Sequence, residues 1–294
     1  AFLIFSQIKS AGSGVSALRL VGSSIDHANQ VDEIPEMDEK GKAQHPKAHD
    51  ISFEHVDFSY DRKPILKDVS ITIPDKTTTA IVGPSGSGKT TLCNLIARFW
   101  DVDGGAVRIG GINVKDYTLE SLMDQVSMVF QKVYLFADTI ENNIKFGRPD
   151  ATHEQVVEAA KKACCHEFIE SFPDGYDTVI GEGGATLSGG EKQRISIARA
   201  MLKDAPIIIF DEATANVDPE NEDKLQKAME ALMKDKTILM IAHRLKTVRK
   251  ADQILVLDGG HIAQKGTHDE LSGQDGLYRD FLDARKESAG WKLA

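Results

Sequence analysis

The chain has 294 residues, 41% hydrophobic and 27% charged, which is enough apolar side chain for one large domain or two small ones. Its 35 basic and 45 acidic residues leave a formal charge of −10, which repels phosphodiester backbones and argues against nucleic acid as a partner. Three cysteines, Cys93, Cys164 and Cys165, exclude a disulfide framework and fit a reducing compartment. Cys164, Cys165 and His166 are consecutive, so on a helix they point apart, and no second ligand pair follows at zinc spacing. No run approaches the roughly 18 to 20 apolar residues that span a bilayer, so this polypeptide by itself reads as soluble or peripheral.

The chain opens on Ala1-Phe-Leu-Ile-Phe5, and Val15, Leu18, Val21 and Ile25 continue at helical spacing. An apolar start without Met reads as an end cut from a longer protein. Asp32, Glu33, Glu36, Asp38, Glu39 and Lys40, with Pro35 and Pro46, then mark a polar linker, and a domain boundary is expected near Ile51. From there the period becomes two. Val56, Phe58 and Tyr60, a turn at Asp61 to Pro64, and Val69, Ile71 and Ile73 predict antiparallel strands.

Thr77 to Val82 is a short apolar strand, followed by a glycine-rich loop and a predicted helix over Thr90 to Phe99. The loop, Gly83-Pro-Ser-Gly-Ser-Gly-Lys-Thr90, satisfies G-x-x-x-x-G-K-[ST], in which glycines turn backbone N–H groups inward around phosphate at a helix N-terminus. Gly83, Pro84, Ser85, Gly86, Ser87, Gly88, Lys89, Thr90 and Thr91 form the predicted phosphate-binding set. Lys89 is expected to reach β- and γ-phosphates, and the Thr90 hydroxyl to ligate Mg²⁺.

Residues 119 to 182 carry helical patterns, Glu154 to Ile169 among them, and read as a helical insert. Leu187-Ser-Gly-Gly-Glu-Lys-Gln-Arg194 precedes an amphipathic helix over Glu191 to Leu202. Ser188, Gly189 and Gly190 are there either a second anion cradle or a plain N-cap, with Glu191 completing a capping box. Pro206 to Phe210 and Thr237 to Ala242 are apolar runs without alternation, as in parallel strands buried on both faces. The first of them ends in Asp211-Glu212, where Asp211 is expected to hold Mg²⁺ and Glu212 to act as general base. Ile254 to Leu257, Asp258-Gly259-Gly260 and His261-Ile262 predict a closing hairpin.

From Ile51 to Phe281 the chain resembles an ABC ATPase, with the motifs in the family's order. The resemblance implies an α/β fold: a P-loop NTPase (RecA-like) core with an antiparallel β-subdomain and a helical subdomain at about 119–190, together spanning 51–294. It makes Gly83 to Thr90 the Walker A motif, Ile207 to Asp211 Walker B, Glu212 the catalytic glutamate and Leu187 to Gly190 the signature. It also assigns roles that spacing alone does not. Tyr60 matches the aromatic that stacks on adenine, Gln131 the glutamine joining Mg²⁺ and water to a transmembrane interface, and His243 the histidine on the γ-phosphate. Asp218, in Ala215-Asn-Val-Asp218, fills the D-loop position, where Ser-Ala-Leu-Asp is commoner. The family pairs two such domains head to tail, as identical or different chains, so Ser188 and its glycines would serve ATP on the opposite subunit.

Two features resemble the exporter branch. Thr178-Val-Ile-Gly-Glu182 is similar to the T-x-V-G-E loop, although Gly183-Gly184 stand where a basic residue is common. The opening helix through Ala17-Leu-Arg19 is similar to the cytoplasmic end of a last transmembrane helix, making 1–50 that end plus a linker. The resemblance therefore implies a motor domain on the cytoplasmic face of the cell membrane, attached to a transmembrane domain of the same parent chain. The alternatives are a soluble ABC-type ATPase, which would carry long inserts or basic arms, a nucleotide kinase, which has no use for the signature, and a non-hydrolysing sensor.

Overall fold

The computed structural model describes residues 18–29, 40–184, 186–211, 219–242 and 245–290. The chain divides into two units, 1–39 and 40–294. In the first, residues 18–29 form helix α1, and Leu18, Leu20, Val21 and Ile25 on it are exposed. Among the described residues no helix is long and apolar enough to cross a membrane.

Among its described residues the second unit contains two sheets. β1 (Ile51–Tyr60) and β2 (Lys63–Ile73) pair antiparallel, with β4 (Gly104–Ile109) on the other side of β1 and β5 (Ile112–Asn113) beyond it. The larger sheet has six strands in the order β10-β9-β3-β8-β7-β6. These are β3 (Thr78–Val82), β6 (Val126–Val129), β7 (Ile207–Asp211), β8 (Thr237–Ile241), β9 (Gln253–Asp258) and β10 (His261–Gly266). All neighbours are parallel except β9 and β10, which form the expected hairpin through Gly259-Gly260. The helices are α2 (Lys89–Ile96), α3 (Leu119–Gln125), α4 (Ile140–Lys145), α5 (His153–Lys162), α6 (His166–Glu170), α7 (Gly189–Lys203), α8 (Pro219–Met233), α9 (Leu245–Arg249), α10 (His268–Ser272) and α11 (Leu277–Gly290).

The unbroken apolar runs have a direct cause: β7 and β8 are buried on both faces. Ile207, Ile209, Leu239 and Ile241 face one core with α2 and the small sheet, while Ile208, Phe210, Ile238 and Met240 face a second core under α5, α7 and α8. Each such side chain removed from water contributes about 1.5–3 kcal/mol, so alternation would forfeit one of the two cores.

Four details differ from the sequence reading. The helix expected over Thr90 to Phe99 ends at Ile96, where Arg98 takes φ 52 and its buried guanidinium pairs with Asp101 at 2.9 Å. The helix expected over Glu154 to Ile169 is two helices, α5 and α6, because Cys164 takes φ 55 and turns Cys165 inward onto the Ala160 carbonyl. The stretch 119–182 is not wholly helical, since Val126–Val129 is the edge strand of the large sheet, paired with β7. The linker reading, finally, does not extend to Lys42, which bridges Tyr117 in parallel while Gly110 donates to the Asp50 carbonyl.

Candidate nucleotide site

Parallel strands bring their C-terminal ends to one edge of a sheet, and ligands of open α/β sheets gather there. Register places Ile81, Ile241 and Asp211 in one row across β3, β8 and β7. Val82 then leads straight into the glycine loop, while Val129, opposite Phe210, leads to Phe130 and Gln131. Topology thus gathers Lys89, Thr90, Asp211 and Gln131 at one edge although up to 122 residues separate them.

The loop's backbone depends on glycine at two positions. At Gly83, with φ 151, a Cβ would lie 2.1 Å from the Leu257 carbonyl oxygen, so the loop passes hard against β9. Gly88, with φ 105, is the N-cap of α2, and a Cβ there would lie 2.7 Å from Leu66. A side chain at either would move the backbone. Among the described residues no side chain caps α2, so its first-turn N–H groups and positive dipole end are available to an anion.

Lys89 Nζ donates to the Gly83 and Pro84 carbonyls at 3.0 and 2.8 Å, which curls the ammonium over the loop. Ser87 Oγ is buried and has no hydrogen-bond partner among the described residues. An orphaned hydroxyl, an uncapped helix and a loop with no room for a Cβ at Gly83 or Gly88 together fit a polyphosphate. Thr90 is exposed and Asp211 half-buried, and a hydroxyl with a carboxylate is a hard-oxygen set of the kind Mg²⁺ takes. Asp211 is also the neighbour that, after burial itself, pushes the α2 thiol Cys93 far above its ordinary range.

A cavity of about 750 Å³ opens over the loop. Of the expected phosphate-binding set, Gly83, Pro84, Ser85, Gly86, Gly88, Lys89, Thr90 and Thr91 line it, and Ser87 does not. Ile65, Val256, Leu277, Phe281 and Ala284 line it too, and the sequence reading missed them. Ile65 carried a signal, standing beside core-facing Leu66 on the opposite face of β2; the others carried none.

Tyr60 lies outside that lining. Its ring stands edge-on to Phe58 and Trp100, at 4.9 and 5.1 Å between centroids. Ser188, Gly189 and Gly190 also lie outside it. There Ser188 Oγ accepts from Glu191 N–H at 3.3 Å and the Glu191 carboxylate accepts from Ser188 N–H at 2.8 Å, so α7 starts from a closed capping box. Gln193 Nε2 donates to the Phe130 carbonyl at 3.3 Å and ties α7 to the segment leading to Gln131. Glu212, Asp218 and His243 fall outside the described residues.

Beside Gln131 a second cavity, of about 430 Å³, is lined by exposed aromatics including Phe130, Tyr134, Phe136 and Phe146. Arg199 stacks over Phe146 at 5.2 Å, donates to the Asn143 carbonyl, and has its pKa pushed down to about 10 by burial. The Thr178–Glu182 loop has Val179 exposed and bridged to Thr139, with Ile180 buried behind it.

Comparison with known proteins agrees with the motifs. A family model described as ABC transporter matches residues 66–215. The ATP-dependent lipid A-core flippase of Mannheimia succiniciproducens is 50% identical over 247 residues, 83% of this chain and 42% of that protein. The putative multidrug export ATP-binding/permease protein YgaD of Bacillus subtilis is 50% identical over 234 residues, 79% of this chain and 40% of that protein. Among solved structures, a bacterial Atm1-family ABC exporter with ATP bound aligns at TM-score 0.83 and 40% identity, covering 89% of this chain and 47% of that one. The chain spans about two-fifths of the length of these curated relatives. With the phosphate loop, the strand-end aspartate and the signature helix all set in the architecture of that exporter's nucleotide-binding domain, the chain belongs to the ABC transporter family.

Proposed function

We propose that the chain is the Mg²⁺-dependent ATP-hydrolysing motor of an ABC exporter on the cytoplasmic face of the cell membrane. The observation that carries this reading is the uncapped, glycine-built cradle of α2 with Lys89 folded over it. Relatives named as ATP-binding/permease proteins and a flippase, each more than twice the matched length, support attachment to a transmembrane domain. The aromatic cavity beside Gln131 suits that attachment, since its exposed rings offer apolar area to a helix end.

Lys89 turns from the loop carbonyls to the β- and γ-phosphates, and the N–H groups of 86 to 90 hold the charge that spreads over the transferring group. Thr90, Asp211 and Gln131 would hold Mg²⁺, which would supply positive charge to offset that of the phosphates. Glu212 polarises the attacking water as general base, and His243 steadies the γ-phosphate. Tyr60 stacks on adenine after leaving its edge contact with Trp100. Ser188, Gly189 and Gly190 serve the nucleotide of a second, head-to-tail domain. Closure of that pair moves the attached helices, and hydrolysis resets them.

The test is the rate of ATP turnover per chain against chain concentration, with and without Mg²⁺. The expected result is a Mg²⁺-dependent rate that climbs steeply with concentration, and a Glu212→Gln variant that binds ATP but loses most turnover. A per-chain rate that is high and constant on dilution contradicts the shared site; unaltered turnover in the variant removes Glu212 as base.

A further inference from the structure

The cavity over the phosphate loop has a wall that none of the motifs marks. Helix α11 is fixed to the body by one side: Tyr278 and Leu282 are buried, Tyr278 N–H donates to Gln264 Oε1 at 2.9 Å, and its hydroxyl meets His268 Nδ1 at 2.8 Å. The Tyr278 and Phe281 rings stack at 6.5 Å, which carries the anchoring on to the next turn. One residue round the helix from that anchor, Leu277, Phe281 and Ala284 follow at i, i+4 and i+7, a single stripe, and all three line the same cavity as Gly83 to Thr91. Phe281 also packs on the core that contains Val82 and Val256, the strand ends bordering the loop. Ala284 is exposed.

We propose that α11 is the outer wall of the nucleotide cavity, with Leu277, Phe281 and Ala284 as binding-site positions that set how tightly the polyphosphate is held. The inference rests on the ATP reading above. An apolar stripe facing a cradle of N–H groups and an ammonium keeps water from one side of the phosphates, and attraction between charges grows as water is excluded. Phe281 and Leu277 supply that exclusion. Ala284, at the exposed rim, contributes little itself but stands where an added charge faces the phosphates through the same poorly hydrated space.

Charge substitution at Ala284 is the clean test, since the position is exposed and a helix tolerates either replacement. ATP and ADP binding to the full 294-residue chain is measured by calorimetry without Mg²⁺, at low and high salt. Ala284→Glu is expected to weaken ATP binding roughly tenfold at low salt and Ala284→Lys to tighten it by about threefold, with the gap closing near 1 M salt. The effect is expected to be smaller for ADP, which carries less charge, whereas a folding defect would act on both alike. A wild-type chain that binds, with Glu and Lys variants within twofold of it and of each other, overturns the wall and leaves the ATP reading standing. A wild-type chain that binds no ATP overturns both.

Discussion

Helix α2 starts from Gly88 in a left-handed conformation with no capping side chain, whereas α7 starts from Ser188, whose hydroxyl and the Glu191 carboxylate close a reciprocal box. Both starts are glycine-rich and both stand in a position to cradle an anion. The first leaves its donors for a ligand; the second satisfies the Ser188 and Glu191 N–H groups from its own sequence. Their surroundings differ in the same sense. The α2 end rests on buried parallel strands and on backbone contacts, such as Gly83 against Leu257. Helix α7 is tied to its neighbours by polar side chains further along, Gln193 to the Phe130 carbonyl and Arg199 to the Asn143 carbonyl, while Glu141 with Lys145 and His153 links α4 to α5. A preformed site is therefore expected at α2 in the single chain, and a site that must be opened by a partner's nucleotide at α7.

The largest effect is expected at the α2 loop itself. Gly83→Ala should abolish nucleotide binding and lower stability by about 2–4 kcal/mol, read by calorimetry and by urea unfolding, because the carbonyl a Cβ would strike is backbone. Lys89→Ala comes next, with ATP affinity down roughly a hundredfold and little change in melting temperature, since its loop carbonyls are solvated when it leaves. A preserved affinity in Lys89→Ala would deny the α2 cradle its role.

Smaller effects are expected at α7, and they sharpen the contrast. Ser188→Ala should cost about 1 kcal/mol, a fall in melting temperature of about 2–4 °C, while ATP binding by the single chain stays unchanged. Concentration-dependent turnover should drop in the same variant. An unchanged melting temperature would mean that the box does not hold α7. Glu191→Gln keeps the reciprocal box and should change stability by less than about 0.5 kcal/mol, yet raise turnover by removing a carboxylate from an anion cradle.

The smallest effect is a pH dependence in the polar region. Burial pushes the Glu141 carboxyl up, but hydrogen bonds from Lys145 and His153, at 2.7 and 2.6 Å, outweigh it and hold the group below its ordinary range. A depressed carboxylate contributes stability that is present above its unfolded pKa and is lost as pH falls through the folded value. Glu141→Gln should therefore be less stable than wild type at pH 7, with the gap narrowing on acidification below about pH 4. A gap that persists unchanged at pH 3 would assign the loss to packing rather than charge.

Much of this was legible in the sequence where one residue type suffices for one geometry. Glycines at positive φ, a lysine and threonine at the start of a helix, apolar runs ending in Asp211, and the Asp258-Gly259-Gly260 turn are local demands of the backbone, and the sequence states them in full. The breaks at Arg98 and Cys164 were not legible, because both are ordinary helix-tolerant residues that turn the chain only to satisfy buried contacts with Asp101 and the Ala160 carbonyl. β6 was hidden for a related reason: four residues after a helix carry no period, and only pairing with β7 makes them a strand.

The candidate site divides along the same line. Periodicity and motif picked out the residues expected to meet phosphate, because a helix N-terminus and its glycine loop are contiguous in the chain. Tertiary structure alone decided that Asp211 lies beside α2, that Tyr60 rests on Trp100 outside the cavity, and that α11 closes its far side. Those neighbours are made by the strand order β9-β3-β8-β7 and by the buried anchor at Tyr278. An apolar stripe reads the same in sequence whether it faces a core or a ligand, and only the packing of the rest of the molecule chooses between them.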